Sequence, residues 1–219
     1  MDSVQQVVVV LKVLVLVAPI AVYFMVLGLL NSQPTPRLVN ARSDFLLLTT
    51  AVCPLLLAPA APLSRHGYGW VLLPLFAVLG LAMWALLPKH DSGWVIYNLS
   101  AARARVLLQR CLSELGWAHR LVDGKLEVPD RGLDIRLSAL PALRNVTCHL
   151  AFHQAADSHR TTALLRRKLD AALARQQLLP SLAGSCLMIL GVAMMILPLW
   201  MMSRHSEAIA EVVTRLLVT

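Results

Sequence analysis

Residues 125–138 read KLEVPDRGLDIRLS, and this stretch decides the fold of the polar part of the chain. Leu126 and Val128 alternate with charged residues, and the leucines and isoleucine of LDIRLS recur at every second position in the same way. Such alternation is typical of a strand with one buried face and one solvated face. The PDRG sequence between the two runs supplies a turn. The stretch therefore predicts two neighbouring antiparallel strands.

The sequences on either side extend this sheet. In LVDGKLEV, Asp123-Gly124 lies between two short apolar runs and predicts a tight hairpin, because both turn positions favour positive φ. Downstream, NVTCHLAFH alternates again and predicts a last strand beginning at Asn145. Its apolar face would carry Val146, Cys148, Leu150 and Phe152. The sequence thus predicts an antiparallel sheet of three or four strands.

Apolar residues at helical spacing predict one helix before the strands and one after them. The first runs from Leu99 to Gly116, where the glycine is a stop signal. The second begins at Asp157 or Ser158, either of which can act as an N-cap. Its apolar stripe consists of Leu165, Leu169, Ala172 and Leu173. Residues 89–177 are therefore predicted to form a small α+β domain with a helix–antiparallel meander–helix order, in which one sheet face stays polar and uncovered.

The rest of the chain is suited to a membrane. The chain is 58% hydrophobic with a mean hydropathy of +0.66, too apolar for a soluble domain. Windows long enough to cross a bilayer lie at 7–30, 45–63, 70–88 and 178–202. The predicted fold class is an α-helical integral membrane protein with four transmembrane helices, with the α+β domain inserted between helices 3 and 4.

The distribution of basic residues predicts the orientation. Arginine and lysine concentrate near the span ends on the side of the α+β domain, and the short first loop contributes Arg37 and Arg42. By the positive-inside rule the domain is cytosolic and both termini are extracytoplasmic. The segment before the first window carries Asp2 and no basic residue, which favours a retained span over a signal peptide. We expect a protein of the bacterial inner membrane.

The sequence contains no recognisable motif for catalysis or cofactor binding. Its four cysteines form no CxxC pair, and nucleotide-binding, zinc-protease and serine-hydrolase motifs are absent from it. His149 and His153 lie on a predicted strand, where such a separation is about 13 Å and too long for one metal ion. The basic run RTTALLRRKLDAALAR lacks aromatic residues that could stack on bases. We predict no catalytic, cofactor or metal residues and no nucleic-acid partner.

The tail SEAIAEVVTRLLVT is predicted to be an amphipathic helix within residues 203–219. A helix of this length needs a surface that covers its apolar stripe. It has one arginine, two glutamates and no aromatic residue, which favours a protein partner over the membrane surface. The predicted docking residues are Ile209, Val212, Val213 and Leu216.

These features favour a non-catalytic accessory or scaffold subunit of a multi-subunit membrane complex. Its partners would be other membrane subunits and the lipid bilayer. A small transporter or channel component is an alternative, because Pro54, Pro59 and Pro62 could break the second span. A membrane-bound enzyme that uses the face of His149 and His153 is a third possibility.

Overall fold

The computed structural model describes residues 3–58, 60, 68–89, 92–153 and 158–218. The chain divides into two compact units. The helical unit comprises Met1–Leu27, Leu47–Ala85 and Leu187–Thr219, and the sheet unit comprises Gly28–Leu46 and Leu86–Cys186.

The described helices carry most of the residues. They are α1 (Ser3–Ser32), α2 (Ala41–Leu57), α3 (Gly69–Leu86), α4 (Ala101–Glu114), α5 (Ser158–Ala174), α6 (Leu182–Arg204) and α7 (Ser206–Val218). Three helical stretches are long and apolar enough to cross a membrane: Gln5–Ser32, Gly69–Leu86 and Leu182–Arg204. They correspond to the first, third and fourth predicted spans. The second predicted span begins within α2, but residues 59 and 61–63 of that window lie outside the described residues, so this span stays a prediction.

The sheet unit contains one antiparallel sheet with six described strands. They are β1 (Arg37–Asn40), β2 (Gly93–Tyr97), β3 (Arg120–Val122), β4 (Lys125–Val128), β5 (Leu133–Leu140) and β6 (Asn145–Phe152), in the spatial order β1-β2-β6-β5-β4-β3. The predicted antiparallel meander is confirmed as β3 to β6. Its first turn has positive φ at Asp123 (49°) and Gly124 (76°), as the sequence predicts.

Strands β1 and β2 widen the sheet beyond the prediction. Strand β1 lies between α1 and α2 and pairs with β2, which in turn pairs with β6. Gly93 of β2 lies so close to β6 that a Cβ atom there would overlap the carbonyl oxygen of Cys148. Only glycine fits this position without moving one of the two strands.

The core of the sheet unit lies between one face of the sheet and helices α4 and α5. Ile135 of β5 is directly opposite Leu150 of β6, and both side chains are buried. Trp94 joins them from β2, and Leu108 and Leu165 cover them from the two helices. The apolar residues of both predicted helices face this one core, as their helical spacing predicts.

The opposite face of the sheet is only partly open. His149 and Arg136 are exposed there, as expected for a polar face. On β2, however, Val95 and Tyr97 point to this same face and are buried. The Tyr97 hydroxyl donates a hydrogen bond to the carboxylate of Asp44, in the first turn of α2. The prediction that nothing in the chain covers this face is therefore wrong at the β2 corner.

In the helical unit, α1 and α6 approach each other closely at Gly191. A Cβ atom on Gly191 would lie 2.7 Å from the carbonyl oxygen of Ala21 and 2.9 Å from the backbone nitrogen of Met25. Small residues at such points allow membrane helices to pack backbone against backbone. Helix α3 differs, since it has no buried residue and a Cβ atom on Gly80 would meet no described neighbour within 4 Å.

Candidate functional site

The predicted docking residues lie on α7, but the structure describes only two of their side chains. Ile209 and Val212 are half-buried on Ser206–Val218, which is helical as predicted. The side chains of Val213 and Leu216 lie outside the described residues. Docking at this stripe therefore stays a prediction.

The histidines on the last strand do not come together. The Nε2 atom of His153 lies 3.2 Å from Oδ2 of Asp134, so this histidine has a carboxylate neighbour on β5. His149 is instead opposite Arg136 in the sheet register. Within the described residues, no group of three or more potential metal ligands is present.

The two buried thiols of the sheet unit are structural. Cys148 lies in the core, and burial raises the pKa of its thiol to about 12. Burial also raises the pKa of Cys111 on α4, and the nearby Glu114 carboxylate adds to the effect. Reactive cysteines have lowered pKa values and partial exposure, so these two have the opposite properties.

A candidate site that the sequence did not reveal lies within the sheet unit, near the end of α1 and the start of α6. Two backbone hydrogen bonds and one from a side chain join it to the segment around the end of α1. Leu178 N donates to Pro34 O at 2.8 Å, and Ser181 N donates to Asn31 O at 3.2 Å. Asn98 Nδ2 donates to Gln33 O at 2.9 Å. The end of α1 and the start of α6 are thereby held beside the β2–α4 loop.

This junction contains an open cavity of about 460 Å³, here termed the juxtamembrane cavity. Its lining residues are Asn98, Ser100, Arg103, Arg144, Gln177, Leu178 and Leu179. Arg144 comes from the turn between β5 and β6, and its carbonyl oxygen accepts a 2.7 Å hydrogen bond from Leu99 N. Arg144 and Asn98 both have positive φ, 51° and 58°, a conformation that residues other than glycine seldom adopt.

Positive charge collects at this cavity. Arg103 lies in the first turn of α4, which contains no acidic residue, and the Ser100 side chain makes no capping hydrogen bond to described residues. The first intrahelical bond is donated by Ala104 to Ser100 O, so the preceding amides have no acceptor within the helix. An arginine at a helix N-terminus opposes the helix dipole, which favours negative charge there. An anion in the cavity would compensate both the charge of Arg103 and the positive end of the α4 dipole.

Sequence reasoning missed this site because three distant segments build it. The one local signal was the first turn of α4, where AARAR has arginine in place of the acidic residues that helices favour at this end. In the predicted second span, Pro54 lies inside α2 and the helix continues to Leu57, whereas Pro59 and Pro62 lie outside the described residues, so a break there stays a prediction.

No family model, curated protein or solved structure matches this chain. Its function must therefore be inferred from its own geometry.

Proposed function

We propose that this protein is a non-catalytic accessory subunit of a membrane complex, and that it crosses the membrane four times. The observation that carries the proposal is the surface of α3, on which no residue is buried by the described part of the chain. Trp70 and Trp84 of this helix are 73% and 79% exposed. Large apolar side chains that stay uncovered in this way mark a surface for lipid or for another subunit.

The pairing of β1 with β2 supports the four crossings. Paired strands lie on the same side of a bilayer, because a sheet cannot continue through the hydrocarbon. The segment between Asn40 and Gly93 must then cross an even number of times. If α3 crosses, the residues from α2 onward must cross as well. The 17 residues of α2 span about 25 Å and the 18 residues of α3 about 27 Å, so each is slightly shorter than a core of about 30 Å.

The order of the elements supports an orientation with both termini on the side opposite the sheet. Helix α1 leads into β1 of the sheet, and α6 begins soon after α5, which packs on the sheet. If both helices cross the membrane, the N-terminal end of α1 and the C-terminal end of α6 lie on the side opposite the sheet. Most of the lysines and arginines belong to the sheet unit, which favours the cytosol for that unit.

Cysteine labelling tests this orientation in a cysteine-free background. Asp130→Cys on the sheet unit should react with an impermeant maleimide only after the inner membrane is opened. Glu207→Cys on α7 should react in intact spheroplasts, and both positions are exposed in the structure. Labelling of position 130 from outside would reverse the proposed orientation.

The tail is the proposed contact with a partner subunit. Ile209 and Val212 share one side of α7, and their replacement by serine should weaken docking without affecting membrane insertion. Ala210→Ser is the matched control because Ala210 is exposed on the same helix. The measurement is the mass of the complex from its native membrane by native gel and mass spectrometry, at natural expression level.

The accessory-subunit proposal predicts one stoichiometric partner that is lost from the Ile209→Ser/Val212→Ser variant and kept by Ala210→Ser. Retention of every partner by both variants would remove α7 as the docking element. A wild-type protein that migrates alone and shows solute flux in proteoliposomes would instead favour the transporter alternative.

A further inference from the structure

We infer that the juxtamembrane cavity binds the phosphate group of an anionic membrane lipid. This binding site does not depend on the accessory role, because it is built entirely from residues of the sheet unit. A subunit, a transporter or an enzyme could equally carry it.

The cavity has the groups that recognise phosphate. Arg103 and Arg144 line it from different segments, and guanidinium groups bind phosphate oxygens with two parallel hydrogen bonds. Within the described part of the chain, no ion pair engages either arginine. Both are exposed, so their side chains can turn toward a ligand. The uncapped N-terminus of α4 adds backbone amides and the positive end of its dipole.

Asn98 is a second and independent indication of a ligand. Asn98 is 1% exposed and lines the cavity, and its Nδ2 atom donates a hydrogen bond to Gln33 O. Its Oδ1 atom is buried and has no hydrogen-bond partner among the described residues. A buried acceptor without a partner is unfavourable by the desolvation free energy of the group. A headgroup hydroxyl that reached this oxygen, directly or through one water, would satisfy it beside the phosphate.

The position of the cavity favours a lipid over a soluble phosphate. Leu179 lines the cavity and is 83% exposed, and Leu182, where α6 begins, is exposed to the same extent. These leucines give the polar cavity an apolar neighbour at the start of a candidate span. A phosphate beside such a surface matches the headgroup and upper acyl chain of a lipid such as phosphatidylglycerol, whose glycerol supplies the hydroxyl donor.

Lipid titration of the purified full-length protein, followed by native mass spectrometry, tests the site. The probes are phosphatidylglycerol, phosphatidylcholine and inorganic phosphate. The site variant is Arg103→Gln/Arg144→Gly, in which glycine suits the positive φ of position 144. The control variant is Arg105→Gln/Arg136→Gln, which removes two other exposed arginines of the sheet unit. Circular dichroism verifies that both variants are folded.

We expect wild-type protein to bind its first phosphatidylglycerol about tenfold or more tightly than phosphatidylcholine. The site variant should lose about tenfold or more of that affinity, whereas the control should change it less than about twofold. Resistance of phosphatidylglycerol binding to excess inorganic phosphate supports the lipid source. If phosphate displaces the lipid from the wild type but not from the site variant, the same site exists and its ligand is a soluble anion. Equal losses in both variants, or equal binding of the two lipids, would overturn the inference.

Discussion

The two units of this protein differ in how far they bury large apolar side chains. In the sheet unit, Trp94 is completely buried beneath α4 and α5, and the core is closed within the chain. In the helical unit, Trp84 of α3 is 79% exposed, and the described residues leave it uncovered. High hydropathy therefore has two meanings here. In the sheet unit, apolar side chains stabilise the fold by packing in its core. In the helical unit, exposed apolar side chains require lipid or another protein to cover them.

The largest effect is expected in the core of the sheet unit. Ile135→Ala removes a fully buried side chain opposite Leu150 and should lower the free energy of unfolding of this unit by about 2 to 5 kcal/mol. Val106→Ala is the control, because Val106 is 60% exposed on α4 and should change stability by less than about 0.5 kcal/mol. Hydrogen exchange of β5 and β6 peptides measures both variants. Equal protection in the two would mean that the sheet has no such core.

Added side-chain volume should destabilise the helical unit only where its helices are in contact. Gly191→Ala places a methyl group against the α1 backbone and should destabilise the α1–α6 contact by about 1 to 3 kcal/mol. Gly80→Ala is the matched control on α3, where the added methyl meets no described residue and alanine favours the helix. Thermal unfolding in one detergent compares them. A destabilised Gly80→Ala variant would show that α3 packs against something after all.

The smallest expected effect is a pH dependence at the surface of the sheet unit. Lys168 Nζ lies 2.8 Å from Glu114 Oε2, and its hydrogen bond and charge lower the pKa of that carboxyl. A carboxyl with a lowered folded pKa stabilises above its unfolded pKa, and this stability is lost as pH falls through the folded pKa. Glu114→Gln should therefore unfold slightly more easily at neutral pH and lose less stability on acidification.

Asp170 gives this measurement a control of opposite sign. Burial raises its pKa, although Arg166 lies 3.9 Å away and partly offsets the effect. Its ionised form is thus disfavoured by the fold, and stability falls as pH rises through the raised pKa. Asp170→Asn should slightly stabilise the protein at neutral pH in the same melting series. A change of the same sign in both variants would contradict these assignments.

Local signals predicted the middle of the sheet, and longer-range pairings escaped them. The Asp123-Gly124 hairpin was predictable because both turn residues and the flanking alternation lie within a few positions. Strand β2, with the sequence GWVIY, is buried on both faces, so it shows no alternation to detect. Strand β1 has only four residues and lies between α1 and α2, where its partner cannot be inferred from local sequence.

The candidate site was even less predictable. The juxtamembrane cavity needs residues 98–103, Arg144 and the segment at 177–179, which no periodic pattern connects. The tail stripe was visible because one helix carries all of it. Pairing and site assembly depend on tertiary contacts, whereas helix faces and tight turns are encoded within a few neighbouring residues.

Strand β1 also imposes an order on biogenesis. It leaves the ribosome well before β2, and at roughly 5 to 20 residues per second it waits several seconds without a partner. An unpaired strand edge invites aggregation, which its four-residue length and Arg37 restrain. With the four crossings proposed above, the β1–β2 ladder closes only when the segment from α2 to α3 has crossed the membrane twice. A nascent chain that inserted one of these helices without the other would leave the two strands on opposite sides of the bilayer. On the proposed topology, sheet closure would thus depend on insertion of both helices, and a chain that failed would leave β2 without this partner.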